Sequence, residues 1–182
     1  MEGVSIVTAT YCERENIGPL VERLRRALAD LEHEVIVVDD SSPDGTYEEA
    51  LKHADRVILL ERAGQTKSLV EGIKAARYEV VVTMDADLEN PPELVPALLR
   101  AFDELGCDVL VASRIALPRV SERLASLTLG KLVGVRDFFS NFRVYRRSLF
   151  ESHDVKLGET FGGELLVYAW LRGFRLGEVV YE

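Results

Sequence analysis

Cysteine is almost missing from this 182-residue chain, which has only Cys12 and Cys107. Neither belongs to a Cys-X-X-Cys pair or a metal-ligand spacing, which excludes a disulfide framework and a thiolate metal site and leaves two reduced thiols as the expectation. Long apolar runs are also lacking. None approaches the roughly 20 residues of a membrane-spanning helix, and the first residues enter a strand pattern without the basic segment and apolar run of a secretion signal. The expectation is a soluble or peripheral polypeptide. Positive charge is scarce: Lys+Arg 22 against Asp+Glu 31 gives a formal net charge of -9, which argues against general nucleic-acid binding through clustered Lys and Arg. Repeats, low-complexity tracts and linkers rich in Gly, Ser or Pro are absent, so no domain boundary is expected. None of His33, His53 and His153 lies beside a Ser or Cys in a nucleophile motif, which speaks against a catalytic triad.

What is present is one sizeable core, since 47% of the residues are hydrophobic in a chain too short for two such cores. Apolar periodicity alternates strand with helix. Strands are expected at residues 4–8 (VSIVT), 34–40 (EVIVVDD), 56–60 (RVILL), 80–84 (VVVTM) and 107–113 (CDVLVAS). Helices are expected over 17–31, 46–54, 66–76 and 93–104, the last with Pro91 and Pro92 at its start, where a missing N–H costs little. Beyond Arg114 the alternation fails; a short FRVYRR segment, a helix over about 163–172 and a closing LGEVVYE strand follow. Short, continuously apolar strands separated by helices predict an α/β fold with a mostly parallel sheet covered on both faces.

In open sheets of this class the ligand sits beyond the carboxyl ends of the strands. Polar residues collect there: Tyr11 and Glu13 after the first strand, Asp39 and Asp40 after the second, Asp85 and Asp87 after the fourth, Ser113 and Arg114 after the fifth. Asp85 and Asp87 lie in VVVTMDADLENPPE. An Asp before a Pro-led helix is often only a cap. Like charges so close, however, cost free energy unless a proton or cation is shared. In an extended segment residues i and i+2 point the same way, so both carboxylates are expected to converge on one spot. That spot suits a hard divalent cation, Mg2+ or Mn2+, with Glu89 within reach. The basic residues concentrate elsewhere. Arg114, Arg119, Arg123, Lys131, Arg136, Arg143, Arg146 and Arg147 share their segment with only Glu122 and Asp137, as an anion site or a face for anionic lipid would require.

Two motifs mislead. SPDGT at 42–46 has the shape of a DxDGT phosphatase nucleophile motif, but Ser42 stands where the attacking carboxylate belongs, and a turn at Pro43 and Gly45 is the economical reading. AGQTKS at 63–68 looks like the tail of a phosphate-binding P-loop, yet Thr66 replaces the Gly before the Lys and Glu61 replaces the first Gly.

TATYCEREN, VVDDSSPDGT and MDADLENPPE, in this order and spacing, resemble the catalytic domain of inverting nucleotide-sugar glycosyltransferases, in particular the dolichyl-phosphate mannose synthase and polyprenyl-phosphate glycosyltransferase group. The resemblance is good over residues 4–114 and looser in RDFFSNFRVYRR and FGGELLVYAWLRGFRL. It implies a single GT-A (Rossmann-like) domain, with residues 1–114 binding the nucleotide-sugar and 115–182 the acceptor. It implies nucleotide-sugar contacts from Thr8, Tyr11, Glu13, Asp39, Asp40, Asp44 and Asp85. The metal would fall to Asp85, Asp87 and Glu89, with Asp85, Asp87 and Arg114 as the catalytic group. The acceptor would meet Arg114, Arg136, Asp137, Ser140 and Glu164. A divalent cation suits the chemistry, because sugar transfer leaves negative charge growing on the nucleoside diphosphate.

The resemblance also bears on the acceptor. Relatives acting on a hydroxyl usually carry a Glu-Asp pair about ten residues before an Arg-Gly, the Asp being the base; here Phe161 and Gly162 precede Arg172 and Gly173 at that interval. A phosphate is already ionised and needs no base. The expected function is therefore transfer of a mannose- or glucose-type sugar from a nucleoside diphosphate sugar (GDP-mannose or a UDP-sugar) to a polyprenyl or dolichyl phosphate. Two alternatives stand beside it: transfer to a sugar or polysaccharide hydroxyl, with Glu164 or Asp137 as base, and a non-catalytic nucleotide-sugar-binding subunit. The segment usually written Ser-Gly before Phe reads Ser140-Asn141-Phe142 here. The implied setting is cytoplasmic, peripheral at the inner face of the membrane, with a membrane-protein partner or a second copy of the chain as further associates.

Overall fold

The structure, a computed structural model, describes residues 2–115, 126–151 and 161–181. Arg119, Glu122, Arg123 and His153 lie outside these residues. The strands are β1 (Val4–Thr10), β2 (His33–Asp39), β3 (Arg56–Leu59), β4 (Val80–Thr83), β5 (Val109–Arg114), β6 (Arg143–Arg146) and β7 (Leu176–Tyr181). The α-helices of eight or more residues are α1 (Arg14–Ala27), α2 (Thr46–His53), α3 (Gln65–Ala75), α4 (Val95–Leu105) and α5 (Phe161–Leu171).

All seven strands join one sheet in the order β3-β2-β1-β4-β6-β5-β7. The expectation of a mostly parallel sheet holds, with one reversal. β6 runs antiparallel to β4 and β5, pairing Thr83 with Arg143 and Val80 with Arg146. Apolar alternation sees which face a side chain takes but not the direction of its strand, so FRVYRR did not reveal the reversal.

Each face of the sheet has its own core. Val4 and Ile6 of β1 pack with Ile17, Leu20 and Leu24 of α1 and with Val95, Leu98 and Phe102 of α4. Val7 turns to the other side, with Leu69 and Ile73 of α3 and Leu165, Leu166 and Ala169 of α5. Each fully buried Leu, Ile or Phe contributes roughly 1.5–3 kcal/mol. The seat of α3 is the tightest. A Cβ on Gly72 would lie 2.4 Å from Val7 Cγ1 and 2.9 Å from Val38 Cγ2, so this helix rests on the sheet only because a glycine faces it.

Several boundaries shift from expectation by a residue or two, and the larger differences are in α1, which also ends at Ala27 rather than residue 31, and before α4. α1 begins at Arg14 rather than residue 17, because the Glu13 carbonyl accepts from Asn16 and Ile17 while the Glu13 carboxylate accepts from Asn16 Nδ2 at 2.7 Å. The helix expected over 93–104 splits into a 3-10 turn, Pro92–Leu94, followed by α4.

Candidate functional site

Six strands point one way and end at one rim, and the backbone there is strained. Among the described residues, the non-glycine positions with positive φ are Cys12 (60°), Ser41 (58°), Arg62 (46°) and Leu88 (64°), one after each of β1 to β4. Left-handed backbone costs a non-glycine residue roughly 1–2 kcal/mol. Such strain persists where the surroundings hold it, commonly at ligand sites. The loops enclose an open cavity of about 860 Å³, with Tyr11, Glu13, Asp40, Asp85, Asp87, Glu89, Arg114 and Ser140 among its lining residues.

Four of the first five strands thus deliver an expected site residue to one space. Asp85 is half-buried, and its Oδ1 accepts from Gln65 Nε2 at 3.0 Å and from Asn141 Nδ2 at 3.2 Å. Burial pushes its carboxyl above the usual range; the Asn141 hydrogen bond opposes the rise, and Asp87 adds to it. β4 stops at Thr83, so the extended geometry expected to aim Asp85 and Asp87 together does not continue through them. Asp87 is exposed and opens a turn in which its Oδ1 accepts from Glu89 N at 3.0 Å. Asp40 accepts from Ala63 N at 2.5 Å and Gly64 N at 2.8 Å, fixing the loop that leads into α3.

Arg114 enters the cavity from the end of β5. Its Nε donates to Asp137 Oδ2 at 2.8 Å and its second guanidinium nitrogen to Asp137 Oδ1 at 3.3 Å. The Asp137 side chain is fully buried. This is the two-point geometry that suits Arg and carboxylate. Asp137 therefore orients Arg114 from beneath and is engaged in place.

Other expected residues do not line the cavity. Thr8 and Asp39 are fully buried; Asp39 accepts from Ser42 Oγ at 2.6 Å and Thr10 Oγ1 at 3.1 Å, which secures the turn after β2. Asp44 accepts from Thr46 Oγ1 at 2.6 Å and Thr46 N at 3.1 Å, and these bonds hold its carboxyl below the usual range. Arg136 is tied through its backbone N–H to Glu178 at 2.6 Å. Glu164, in the first turn of α5, is also outside the lining.

The cavity adds residues that sequence reasoning missed. Gln65 and Ser68 come from the start of α3, Asn90 from the β4–α4 loop, Phe139 and Asn141 from the loop before β6, and Tyr181 from the end of β7. Tyr181 donates to Asn90 Oδ1 at 2.8 Å. The strand-end rule, applied to LGEVVYE, would have found Tyr181. Ser68 is fully buried, and its hydroxyl has no hydrogen-bond partner among the described residues.

Does this donor set suit a divalent cation? Glu13, Asp40, Asp85, Asp87 and Glu89 share the cavity with Arg114, an excess of negative charge that would repel a diphosphate and that a cation would offset. No three His, Cys, Asp or Glu side chains among the described residues form a closed metal set. Mg2+ and its like commonly take one or two carboxylates and complete their shell with ligand phosphates and water. The residues fit that arrangement, with Asp87 and Glu89 the exposed carboxylates.

A mostly parallel sheet with an acidic cavity at its carboxyl rim defines an α/β domain of the GT-A class. Glucosyl-3-phosphoglycerate synthase of Mycobacterium tuberculosis superposes with a TM-score of 0.81 at 22% identity, over 98% of this chain and 70% of that one. The first 349 residues of TarS from S. aureus, solved with UDP-GlcNAc, give 0.72 at 24% identity, over 97% of this chain and 56% of that one. The chain belongs to glycosyl transferase family 2, whose sequence pattern matches residues 5–154. It is 30% identical to a dolichol-phosphate mannosyltransferase of Pyrococcus furiosus, over 93% of this chain and 53% of that protein. It is 32% identical to a dodecaprenyl-phosphate galacturonate synthase of Rhizobium johnstonii, over 97% and 57% respectively. The chain thus spans about half the length of these curated relatives.

Proposed function

We propose that this domain transfers a mannose- or glucose-type sugar, with inversion, from a nucleoside diphosphate sugar to a polyprenyl or dolichyl phosphate. The observation that carries the reading is the division of one cavity between carboxylates after β4 and Arg114 at the end of β5. The named relatives acting on dolichol and dodecaprenyl phosphates support the acceptor, and a fold neighbour solved with Mn2+ and uridine diphosphate supports the donor and cation.

The acceptor phosphate oxygen attacks C1 of the sugar as the C1–O bond to the diphosphate breaks, and the bonding pair leaves with the nucleoside diphosphate. Asp87 and Glu89 would hold the cation, which when bound supplies positive charge to the leaving diphosphate. Arg114, oriented by Asp137, offers guanidinium N–H groups to phosphate oxygens. With Asp137 committed to Arg114, it is poorly placed to take a proton, which weighs against a hydroxyl acceptor. No helix among the described residues is long and apolar enough to cross a membrane, and a peripheral position beside the lipid acceptor is part of the proposal.

Incubation with GDP-mannose or UDP-glucose, Mn2+ and either a short polyprenyl phosphate or the matching alcohol tests this. Glycolipid from the phosphate alone is the expected result. Product from the alcohol or from free sugars would establish a hydroxyl acceptor, and tight donor binding without transfer or hydrolysis would establish a binding subunit; either result refutes the proposal.

A further inference from the structure

We infer that Gln65 and Asn141 are positioning residues, a pair of carboxamides that grip one oxygen of Asp85 from two walls of the cavity and so present the other oxygen to the donor. The inference rests on reading the cavity as the donor site. Both side-chain amides donate to Oδ1, at 3.0 Å and 3.2 Å, and no hydrogen bond among the described residues reaches Oδ2. The two bonds satisfy Oδ1, fix the plane of the carboxylate and leave Oδ2 with its lone pairs for a ligand.

Both arms are rigidly mounted. Gln65 opens α3, whose preceding Gly64 N–H is held by Asp40 at 2.8 Å and whose Gly72 seats the helix against Val7 and Val38. Asn141 is anchored through its carbonyl, which accepts from Thr83 Oγ1 at 2.6 Å. On either side of it, Ser140 Oγ donates to Ala112 O at 2.9 Å and Phe142 is fully buried, edge-on to Tyr181. Functional groups are held in geometry by neighbours locked in this way.

A glycine at this position would have no side-chain donor, so the grip on Asp85 from this wall depends on the Asn141 amide itself. The strand itself does not supply the orientation, since β4 ends at Thr83, and the neighbouring Asp87 and Glu89 repel the carboxylate. Hydrogen bonds to a charged group contribute enough that losing one should cost roughly tenfold or more in binding.

The test is calorimetric titration with GDP and with UDP, each in the presence of Mn2+, of the full chain and of Asn141→Gly, Gln65→Ala, Asp85→Ala and the pairwise combinations. Asn141→Gly and Gln65→Ala should each weaken binding about tenfold, and neither should weaken it further when Asp85 is already alanine. Effects that persist in the Asp85→Ala background would show that the amides meet the ligand directly and would overturn the inference, as would the absence of any effect. Melting midpoints of the same variants without ligand give a second reading. Non-additive midpoints for positions 141 and 85 support the grip, and additive ones overturn it. If the unaltered protein bound neither nucleotide while the midpoints stayed non-additive, the donor reading would fall, and with it the positioning role built on it.

Discussion

Arg114 and Asp137 show how far a side chain's use depends on its partner. In sequence both are charges of one largely basic segment, equally eligible as acceptor contacts. In the fold, Asp137 is fully buried and Arg114 about one-third exposed, so one supports and the other reaches out. Removing one partner of a buried pair costs about 3–5 kcal/mol when the other charge stays buried and uncompensated. Arg114 is partly exposed and keeps the cavity carboxylates around it, so Asp137→Ala should cost less, about 1–3 kcal/mol, read as a lower urea midpoint. Asp44 acts differently, through the turn it forms with Thr46. Its carboxyl is held below the usual range by the Thr46 hydroxyl first and backbone N–H groups next. A depressed carboxyl stabilises the fold above its unfolded value and ceases to do so as pH falls through its folded value. Asp44→Ala should therefore lower the melting midpoint by about 2–4 °C at pH 7, the equivalent of roughly 1 kcal/mol in a protein of this size, and change it little in strong acid.

The strands were the most legible elements, because buried parallel strands are short apolar runs bounded by polar rims, and β1, β2, β4 and β5 are such runs. β6 escaped because pairing direction leaves no trace in face alternation. The loops escaped for another reason. Nothing about Cys12, Ser41, Arg62 or Leu88 advertises a left-handed backbone, which Gly and Asn would have signalled. The pattern located Asp85 and Asp87, which share one cavity, but not that the chain leaves the strand before reaching them, with Asp85 half-buried and Asp87 exposed. α3 couples core to cavity most directly: Gly72 sets its height over the sheet and Gln65 and Ser68 reach the site. Gly72→Ala forces a methyl against Val7 and Val38 and should cost about 1–3 kcal/mol as overpacking. Denaturant unfolding reads that loss, and nucleotide affinity should fall with it as the start of α3 lifts.

Taken whole, the chain concentrates acid where its proposed substrate is also acidic. A cavity holding Glu13, Asp40, Asp85, Asp87 and Glu89 beside Arg114 is a poor host for a diphosphate and a good one for a diphosphate accompanied by a cation. The rim residues from the ordered motifs were legible because each follows a recognisable strand. Tyr181 was legible in the same way, at the end of the LGEVVYE strand; Gln65 and Asn141 were not, since amides carry no charge pattern and come together only through the crossovers of the sheet. The decisive measurement is calorimetric titration of GDP-mannose and UDP-glucose into the protein and into Asp87→Ala, with and without Mn2+. One of the two sugars should bind only with the metal, and Asp87→Ala should weaken that binding at least about tenfold. Binding of equal strength without metal, or unchanged in Asp87→Ala, would contradict the assignment of these carboxylates to the cation.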